Sequence, residues 1–374
     1  MAELHVEVSI VDAVTVHPNA DRLELASIKG WQTVVVKDQY KAGDRVVYVP
    51  IDSILSPKLE ELLFPAGSKI KLDKGRIRSI RIRQAVSQGM IVGIDESLET
   101  LYPGISKKRV GSDVAEFLGV TKWEPPVDSL PSRMAARPIT HNNPYFQKYT
   151  DIDNIKFYPG AFSPDEEVYI TEKIHGTSAR YAILPTNVHG WKKRLRKWLH
   201  LLPAYEFCYG SRNIQLQAKV LVYPGYESED GENVYAWVAR TFNLAKILRP
   251  NEQLYGEIVG PGIQKNYIYG YKPGTWGFYA YDVRVDGSYL SSKAFQAWCD
   301  ERKVPRVPVL FEGYLRDTGL DQLRNGPSVL APTTQPIREG TVIKPKFETF
   351  IYTGRKVLKH INDEYLLHDQ TEFH

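Results

Sequence analysis

Short hydrophobic runs of β-type residues dominate the first 120 or so positions of the chain. Residues Val6 to Val16 alternate in part between apolar and polar positions, which is typical of a half-buried strand. Turn residues separate further runs of the same kind, at Leu23 to Ile28, Gln32 to Val36, Arg45 to Val49, Ile77 to Arg83 and Met90 to Val92. We predict a strand at each run and a short helix from Pro57 to Leu63.

One segment within this region carries a family resemblance. It consists of His17-Pro18-Asn19-Ala20-Asp21-Arg22-Leu23 and, later, Tyr40-Lys41-Ala42-Gly43-Asp44. This segment resembles the OB fold of tRNA-binding domains, and roughly five short strands with one helix suit such a Greek-key barrel. We therefore predict an OB-fold nucleic-acid-binding domain at residues 1–123.

A proline-rich stretch follows the predicted barrel. Residues 124–144 hold five prolines among polar residues, a composition that indicates a linker. Strand-like runs then dominate residues 145–374, and helical patterns are limited to Ser292 to Arg302 and Trp191 to Leu202. The fold class predicted for the whole chain is α+β, with a β-barrel followed by a domain of antiparallel sheets.

Composition narrows the class of protein. Hydrophobic residues make up 43% and charged residues 25% of 374 positions, as in ordinary globular proteins. The net charge of +4 permits a polyanionic partner without requiring one. Two cysteines cannot form a disulfide framework. We expect no signal peptide, and no apolar run approaches the length of about 20 residues that a membrane-spanning helix needs. We expect a cytoplasmic protein without a membrane partner, with a monomer as the default.

The strongest candidate for chemistry is the lysine of Glu172-Lys173-Ile174-His175-Gly176-Thr177. A Lys-x-x-Gly pattern alone has little value, because Lys108 begins a second copy before a predicted short helix. Lys173 instead lies between two β-rich runs, Val168 to Thr171 and Ser178 to Leu184. An amine at such a junction, with a glycine that lets the backbone approach phosphate, suits nucleophilic attack on a nucleotide.

Five further motifs follow in a fixed order. They are Tyr209-Gly210-Ser211-Arg212-Asn213, Tyr255-Gly256-Glu257 through Gln264-Lys265-Asn266, Phe278-Tyr279-Ala280-Tyr281-Asp282, Glu339-Gly340-Thr341-Val342-Ile343-Lys344 and Arg355-Lys356-Val357-Leu358-Lys359. Together with the lysine motif they resemble the covalent nucleotidyltransferase superfamily, and most closely RNA ligases of the RNA ligase 2 type. The preceding OB domain resembles the arrangement of Deinococcus-type RNA ligases. Residues 145–374 are thus predicted to form an adenylyltransferase (ligase) domain.

The resemblance implies a role for each motif residue. It makes Lys173 the nucleophile that becomes adenylated, while Lys344 and Lys359 hold the ATP phosphates as further catalytic residues. It implies that Glu257 binds the ribose hydroxyls and that Glu339 binds a divalent metal, Mg²⁺ or Mn²⁺. Arg212 would meet the ribose or the polynucleotide end, and Tyr281 would stack on adenine. Glu172 and Gly176 complete the predicted nucleotide site.

The predicted function is an ATP-dependent RNA ligase. It would seal 3′-hydroxyl and 5′-phosphate ends through lysyl-AMP, at RNA ends or at nicks in duplexes with an RNA 3′-hydroxyl strand. The alternatives are a DNA ligase, a capping-type guanylyltransferase, or an inactive nucleic-acid-binding homologue. One departure supports the last: the fifth motif of the family has Lys-x-Lys, but its second position here is Ile361. Lys356 or Lys346 is a candidate to replace the lost charge.

Two basic stretches bear on the partner. Residues 67–84 contain seven Lys or Arg residues against Asp73 alone, which suits a grip on a sugar–phosphate backbone or a charged edge strand. Residues 191–202 place an apolar stripe opposite five cations at helical spacing. This second stretch is equally consistent with a nucleic-acid contact and with a packed surface helix.

Overall fold

The computed structural model describes residues 4–68, 72, 74–123, 142–188, 190–199, 201–216, 233–264, 266–351 and 354–367, without the side chains of residues 192, 193, 196 and 197. Most of the predicted linker, together with Lys69, Lys71, Asp73 and Lys265, lies outside these ranges. Contacts divide the chain into two compact units. The first comprises Met1–Pro126, Asp153–Ala161 and Asp363–His374, and the second Val127–Ile152 and Phe162–Asn362.

The first unit is built from short antiparallel strands. Its strands are β1 (Glu7–Ile10), β2 (Ala13–Val16), β3 (Leu23–Ile28), β4 (Trp31–Val36), β5 (Arg45–Val49), β6 (Ser53–Ile54), β7 (Ile80–Ile82), β8 (Ala85–Ser87), β9 (Met90–Gly93), β10 (Thr121–Lys122) and β11 (Asp153–Asn154). They pair in the orders β1-β5-β9, β2-β3-β4, β6-β10 and β7-β8. The helices are α1 (Pro57–Leu63), α2 (Glu96–Leu101) and α3 (Ala115–Leu118), with a 3₁₀ turn at Ile105–Lys107 and another at Ile155–Phe157.

Local chemistry explains why α1 lies where the sequence predicted it. The Ser56 side chain accepts a hydrogen bond from the Leu59 amide, and Pro57 occupies the first turn, where its missing N–H costs nothing. Leu59 then packs into a core with Val8, Val47 and Leu98. The predicted bounds of this helix are confirmed.

The histidine motif of the first unit has a structural use. The buried His17 ring bonds through Nε2 to the Ile82 carbonyl oxygen at 3.0 Å, while its Nδ1 accepts from the Asn19 amide. The motif therefore ties the chain before β3 to the β7–β8 hairpin. In the basic stretch nearby, Arg76 is buried in an ion pair with Asp52, whereas Arg78 and Arg83 are exposed. Arg76 thus serves the fold rather than a backbone grip.

The second unit consists mainly of two antiparallel sheets. Its strands are β12 (Glu167–Lys173), β13 (Thr177–Pro185), β14 (Tyr205–Ser211), β15 (Gln215–Leu216), β16 (Glu252–Val259), β17 (Gly277–Val285), β18 (Ser288–Tyr289), β19 (Val309–Tyr314), β20 (Gly340–Pro345), β21 (Phe350–Ile351), β22 (Gly354–Arg355) and β23 (Leu358–Ile361). One sheet has six strands in the order β15-β14-β13-β16-β17-β18, and in the other β23-β20-β12-β19 are neighbours. The predicted antiparallel architecture is confirmed.

Helices cover parts of these sheets. They are α4 (Trp191–Trp198), α5 (Val234–Thr241), α6 (Leu244–Ile247), α7 (Ser292–Arg302) and α8 (Leu320–Arg324), with a 3₁₀ turn at Leu315–Asp317; a last helix, α9 (Asp363–Leu366), belongs to the first unit. The sequence analysis predicted α4 and α7 but not α5. The β-branched and aromatic residues of α5 favour a strand, yet Asn233 caps its first turn, and Val234 and Val238 bury one helical face.

A buried ionic cluster joins the two sheets of the second unit. Asp282 of β17 accepts hydrogen bonds through Oδ2 from Lys344 of β20 at 2.9 Å and from Arg355 of β22 at 2.6 Å. The Tyr149 hydroxyl donates to the same oxygen at 2.8 Å. Burial alone would raise the pKa of Asp282, but the two cations overcome this effect and hold it below its ordinary value.

We predict that Asp282→Ala destabilises the protein strongly. The substitution leaves Lys344 and Arg355 buried without the carboxylate that they share, and breaking such a pair costs about 3–5 kcal/mol. Asp165→Ala is the matched control because it removes only the exposed partner of Arg316, at a cost of at most about 1 kcal/mol. Urea unfolding of both variants measures the difference, and equal losses would contradict the role given to Asp282.

Candidate active site

Strand register brings Lys173 and Glu339 together. Antiparallel pairing of β12 with β20 places Lys173 opposite Gly340, so Glu339 lies one residue away at the start of β20. The Lys173 Nζ atom donates to Glu339 Oε1 at 2.5 Å. The lysine side chain keeps 26% of its surface exposed, whereas the glutamate keeps 5%. The amine is therefore reachable from solvent while its partner is held in the protein interior.

A second carboxylate lies in the same electrostatic environment. Glu257 of β16 pairs with Ser178 of β13, just beyond the loop that follows Lys173. Desolvation raises the pKa of Glu257 to about 8, and the charge of Lys173 opposes this shift while that of Glu339 adds to it. Burial likewise raises the pKa of Glu339 against the opposing effect of Lys173. The charge of Lys173 thus acts on both carboxyl groups.

The loop after Lys173 is held from several sides. The Gln264 side-chain amide donates to the Gly176 carbonyl oxygen at 2.9 Å, and the His175 amide donates to the Tyr269 hydroxyl at 2.8 Å. The buried His175 ring packs edge-on against Tyr267, with ring centroids 4.6 Å apart. Gln264, from the motif that also contains Glu257, thus holds the lysine loop in place.

Gly176 is required by close packing. A Cβ atom at this position would lie 2.2 Å from the Ile258 carbonyl oxygen and 2.9 Å from Glu257 Cγ. No side chain fits there, because carbon and oxygen atoms in contact are about 3.5 Å apart. The absence of a side chain lets the lysine loop lie directly against β16.

The predicted base-stacking residue has a fixed ring. The Tyr281 hydroxyl lies 2.8 Å from Ser178 Oγ, and its ring meets Tyr149 edge-on at 4.8 Å between centroids. Arg212, at the end of β14, is partly exposed and forms an ion pair with Asp151. Burial raises the pKa of the Tyr281 hydroxyl. The charge of Glu257 adds to this shift, and the charge of Arg212 opposes it. Tyr281 and Arg212 thus share the surroundings of Glu257.

The predicted phosphate-binding lysines occupy different surroundings. Lys359 of β23 lies opposite Val342 of β20, and its charge opposes the effect of burial on the pKa of Glu339. Lys344 is buried and donates to Asp282 and to the Tyr281 carbonyl oxygen. Burial and the charge of Arg355 lower the pKa of Lys344, while Asp282 opposes the shift. The structure therefore brings Lys359 near the carboxylates and places Lys344 in the ionic cluster.

Two lysines were suggested from the sequence to replace the charge that the family carries where this chain has Ile361. Both lie at the end of β12 that is distant from Lys173. Lys346 forms an ion pair with Glu167 at 2.5 Å, and Lys356 with Glu166 at 2.7 Å. Lys173 ends the seven-residue strand that Glu167 begins, about 20 Å away at 3.3 Å per residue. Neither lysine is in a position to supply charge beside Lys173, and the replacement suggested from the sequence is wrong.

Glu172 and Glu339 each present a buried carboxylate oxygen with an unfilled hydrogen-bonding capacity. Glu172 accepts from the Val329 amide at 2.8 Å through Oε2, and burial raises the pKa of its carboxyl group. Within the described part of the chain, Glu172 Oε1 and Glu339 Oε2 accept no hydrogen bond, although His175 Nδ1 lies 3.8 Å from Glu339 Oε2. Such oxygens suit a donor or a hard cation supplied by a ligand.

The fit of a divalent metal rests on these oxygens. Among the described residues, no group of three or more His, Cys, Asp or Glu side chains forms a complete cation site. A metal here would take Glu339 as a ligand, and water or phosphate oxygens would fill its other positions, which is how Mg²⁺ is ordinarily held. The residues present fit that incomplete kind of site.

Sequence reasoning assigned no role to Asp282, Tyr269 or Ser178, although Asp282 belongs to one of the motifs. The signal for Asp282 was present, because a carboxylate within the apolar run Phe278 to Val283 needs a buried partner. The contacts of Tyr269 and Ser178 depend on cross-strand and loop packing, for which the local sequence carries no signal.

Comparisons with known proteins give the family and the fold. A family model described as RNA ligase matches residues 166–361, and one described as an OB-fold domain matches residues 5–94. None of the curated proteins searched matches the chain.

Solved structures of a Naegleria gruberi RNA ligase are similar in fold. The one with PPi is 24% identical, with a TM-score of 0.72 and coverage of 98% of both chains. A mutant with ATP and Mn has 24% identity, a TM-score of 0.71 and coverage of 97% of this chain and 98% of that one. A mutant with AMP and Mn has 23% identity, a TM-score of 0.72 and the same coverage.

The fold is that of a polynucleotide-joining enzyme with an N-terminal OB-fold domain, as the resemblance predicted. Since the RNA ligase model spans more than half of its length, the chain belongs to the RNA ligase family. No helix in the described residues is long and apolar enough to cross a membrane.

We predict that Gly176→Ala lowers the free energy of unfolding by about 1–3 kcal/mol, as overpacking of a filled site does. The Cβ atom would force apart the lysine loop and β16. Gly93→Ala is the control, because an added Cβ there meets only Tyr40, at 3.6 Å or more. Denaturant midpoints compare the two, and an unchanged midpoint for Gly176→Ala would contradict the close approach.

A pH dependence of stability follows from Glu257. Its carboxyl group loses a proton near pH 4.5 when unfolded but near pH 8 when folded, so between these values the folded chain holds a proton that the unfolded chain lacks. The free energy of unfolding should therefore fall as pH rises through this window, by at most about 1.4 kcal/mol per pH unit. Glu257→Gln should flatten the slope in urea titrations from pH 5 to 8.5; the same slope in both proteins would count against this origin.

Proposed function

We propose that the chain is an ATP-dependent RNA ligase that joins 3′-hydroxyl and 5′-phosphate ends through a lysyl-AMP intermediate on Lys173. The observation that carries the proposal is the partly exposed side chain of Lys173, whose amine contacts Glu339 at the junction of β12 and a loop that packs closely at Gly176. Membership of the RNA ligase family and the ATP-bound and AMP-bound structures of similar fold support it.

The first step forms the covalent intermediate. The Lys173 amine attacks the α-phosphorus of ATP, a P–N bond forms and pyrophosphate leaves. A carboxylate in contact stabilises the ammonium form, so the amine must first give up a proton. Glu339 Oε1, at 2.5 Å, is placed to relay that proton away from the amine, which leaves the carboxylate free to hold a metal.

The later steps transfer AMP and seal the strand. A 5′-phosphate oxygen attacks the lysyl-AMP phosphorus and Lys173 leaves, which gives a 5′-adenylated end. The 3′-hydroxyl then attacks the 5′-phosphorus, the phosphodiester forms and AMP leaves. In-line displacement of this kind depends mainly on positioning and charge neutralisation. When bound at Glu339, a divalent metal such as Mg²⁺ or Mn²⁺ supplies positive charge to the phosphates.

Individual residues bind the nucleotide in this proposal. Tyr281, whose ring is fixed by Ser178, stacks on adenine, and Glu257 accepts hydrogen bonds from the ribose hydroxyls. Lys359 contacts phosphate from β23, and Arg212 approaches the ribose or the polynucleotide end. Lys344 orients Tyr281 through its carbonyl oxygen, and Glu172 bonds to the base edge through its unpartnered oxygen. The OB-fold domain, residues 1–123, holds nucleic acid beside the break.

We predict that Lys173→Met lowers the transfer of label from α-labelled ATP to the protein more than a thousandfold, because no other amine replaces the nucleophile. Lys346→Met is the matched control, since that lysine is ion-paired with Glu167 at the far end of β12, and it should retain labelling within twofold. Gel detection after incubation with Mg²⁺ or Mn²⁺ measures both. Labelling of the Lys173→Met protein would refute the covalent site.

Two further experiments distinguish the alternative functions. Label from GTP instead of ATP would indicate a capping-type guanylyltransferase. Equal sealing of nicks with DNA and RNA 3′ ends would indicate a DNA ligase-like substrate range, whereas faster sealing of RNA is expected here because a protein can read the 2′-hydroxyl. A wild-type protein that stays unlabelled under both metals would favour an inactive binding homologue, consistent with Ile361.

A further inference from the structure

The loop between β16 and β17 contains a tyrosine whose backbone has a conformation that tyrosine rarely adopts. Tyr269 and Gly270 have φ angles of 50° and 77°, and the Tyr271 amide donates to the Ile268 carbonyl oxygen at 3.0 Å. Positive φ at both central positions is typical of a type I′ turn, which favours Asn, Asp or Gly at these positions. A bulky residue there is strained, and such strain persists where surrounding contacts hold it. The contacts of the Tyr269 side chain therefore explain the choice of this residue better than its backbone does.

The Tyr269 side chain reaches the loop that follows Lys173. It is 5% exposed, and its hydroxyl accepts a hydrogen bond from the His175 amide at 2.8 Å. His175 is the middle one of the three residues that connect β12, which ends at Lys173, to β13, which begins at Thr177. Tyr269 thus provides a buried acceptor for the backbone at the centre of this short loop.

Other contacts hold the two ends of the same loop. Lys173 is paired within the sheet as the last residue of β12, and the Gly176 carbonyl oxygen accepts a hydrogen bond from the Gln264 side chain at 2.9 Å. Neither contact fixes the backbone of His175, which bonds to Tyr269. Loss of the Tyr269 hydroxyl would therefore release the middle of the loop while both ends stay in place.

The Tyr269 hydroxyl also lies near the carboxyl groups of the site. Burial raises its pKa, and the hydrogen bond from His175 opposes this shift. The charges of three carboxyl groups add to the rise, namely those of Glu339, Glu172 and Glu257. The hydroxyl is therefore neutral, and it holds the amide without placing another negative charge near Lys173. A carboxylate in its place would favour the ammonium form of the lysine.

We propose that Tyr269 is a positioning residue for the adenylation of Lys173: its hydroxyl fixes the loop after Lys173, and this loop sets the direction from which the amine attacks ATP. The inference rests on the proposed function, because it takes Lys173 as the nucleophile. A displacement of about 1 Å at a reacting group can slow a reaction about a hundredfold. The last step of joining, in which the 3′-hydroxyl attacks the 5′-adenylated end, forms no bond to Lys173 and does not need this positioning.

The test uses Tyr269→Phe, which removes only the hydroxyl. In single turnovers at saturating ATP, this variant should label itself at least tenfold more slowly than wild type. The ATP concentration that gives half the maximal rate should change less than twofold, and so should the rate of sealing a nick with a pre-adenylated 5′ end. Tyr181→Phe is the matched control, because it removes another buried hydroxyl of the same unit, which donates to the Tyr235 carbonyl oxygen at 3.0 Å. Its labelling should stay within twofold of wild type.

The opposite results would overturn the proposal. Unchanged labelling of Tyr269→Phe, or an equal loss in Tyr181→Phe, would show that this hydroxyl does not direct the amine. A parallel loss of labelling and of sealing of the pre-adenylated strand would leave Tyr269 with a purely structural role.

Hydrogen exchange gives a reading that needs no activity. Mass spectrometry of the peptide that contains residues 173–177 should show faster amide exchange in Tyr269→Phe than in wild type, and no change in Tyr181→Phe. Equal exchange in all three proteins would contradict the hold of Tyr269 on the loop. A wild-type protein that is not labelled by ATP would instead defeat the proposed function, and the exchange comparison would still decide whether Tyr269 fixes the loop.

Discussion

The contact between the Lys173 amine and the Glu339 carboxylate is the interaction on which the site depends. A reactive amine must be unprotonated, yet an adjacent anion favours its protonated form. The protein resolves this conflict by burying the anion: Glu339 and Glu257 both have raised pKa values, so both hold protons more readily than exposed carboxyls do. Cationic charge that binds at the site would compete with Lys173 for the Glu339 carboxylate.

Sheet pairing, rather than local sequence, assembles these groups. Lys173 and Glu339 are brought together by the β12–β20 register, and Glu257 by the β13–β16 register. The two sheets are in turn joined by Asp282, which bonds to Lys344 and Arg355. The buried ion pairs of Asp282 thus support the contact between Lys173 and Glu339. Both contacts depend on the pairing of strands that are far apart in the chain.

The sequence was sufficient for most of the elements and for the order of the motifs that carry the candidate site residues. Alternating runs, the Ser56-Pro57 helix start and the glycine after Lys173 each act locally, so each could be read directly. The role of Lys344 could not, because a lysine in a strand motif looks the same whether it meets a phosphate or a buried aspartate. Helix α5 was missed for a similar reason: its residues favour strands individually, and burial of Val234 and Val238 on one face overrides that preference.

The ion pairs at the beginning of β12 have a consequence for the opposite end of that strand. Lys346 and Lys356 anchor Glu167 and Glu166, and these bonds resist sliding of β12 along its neighbours. A slip of one residue would turn the side chain of Lys173 to the other face of the sheet, and a slip of two would carry it about 6.6 Å away. The direction in which the Lys173 side chain points is therefore controlled by charges at the opposite end of the strand, about 20 Å away.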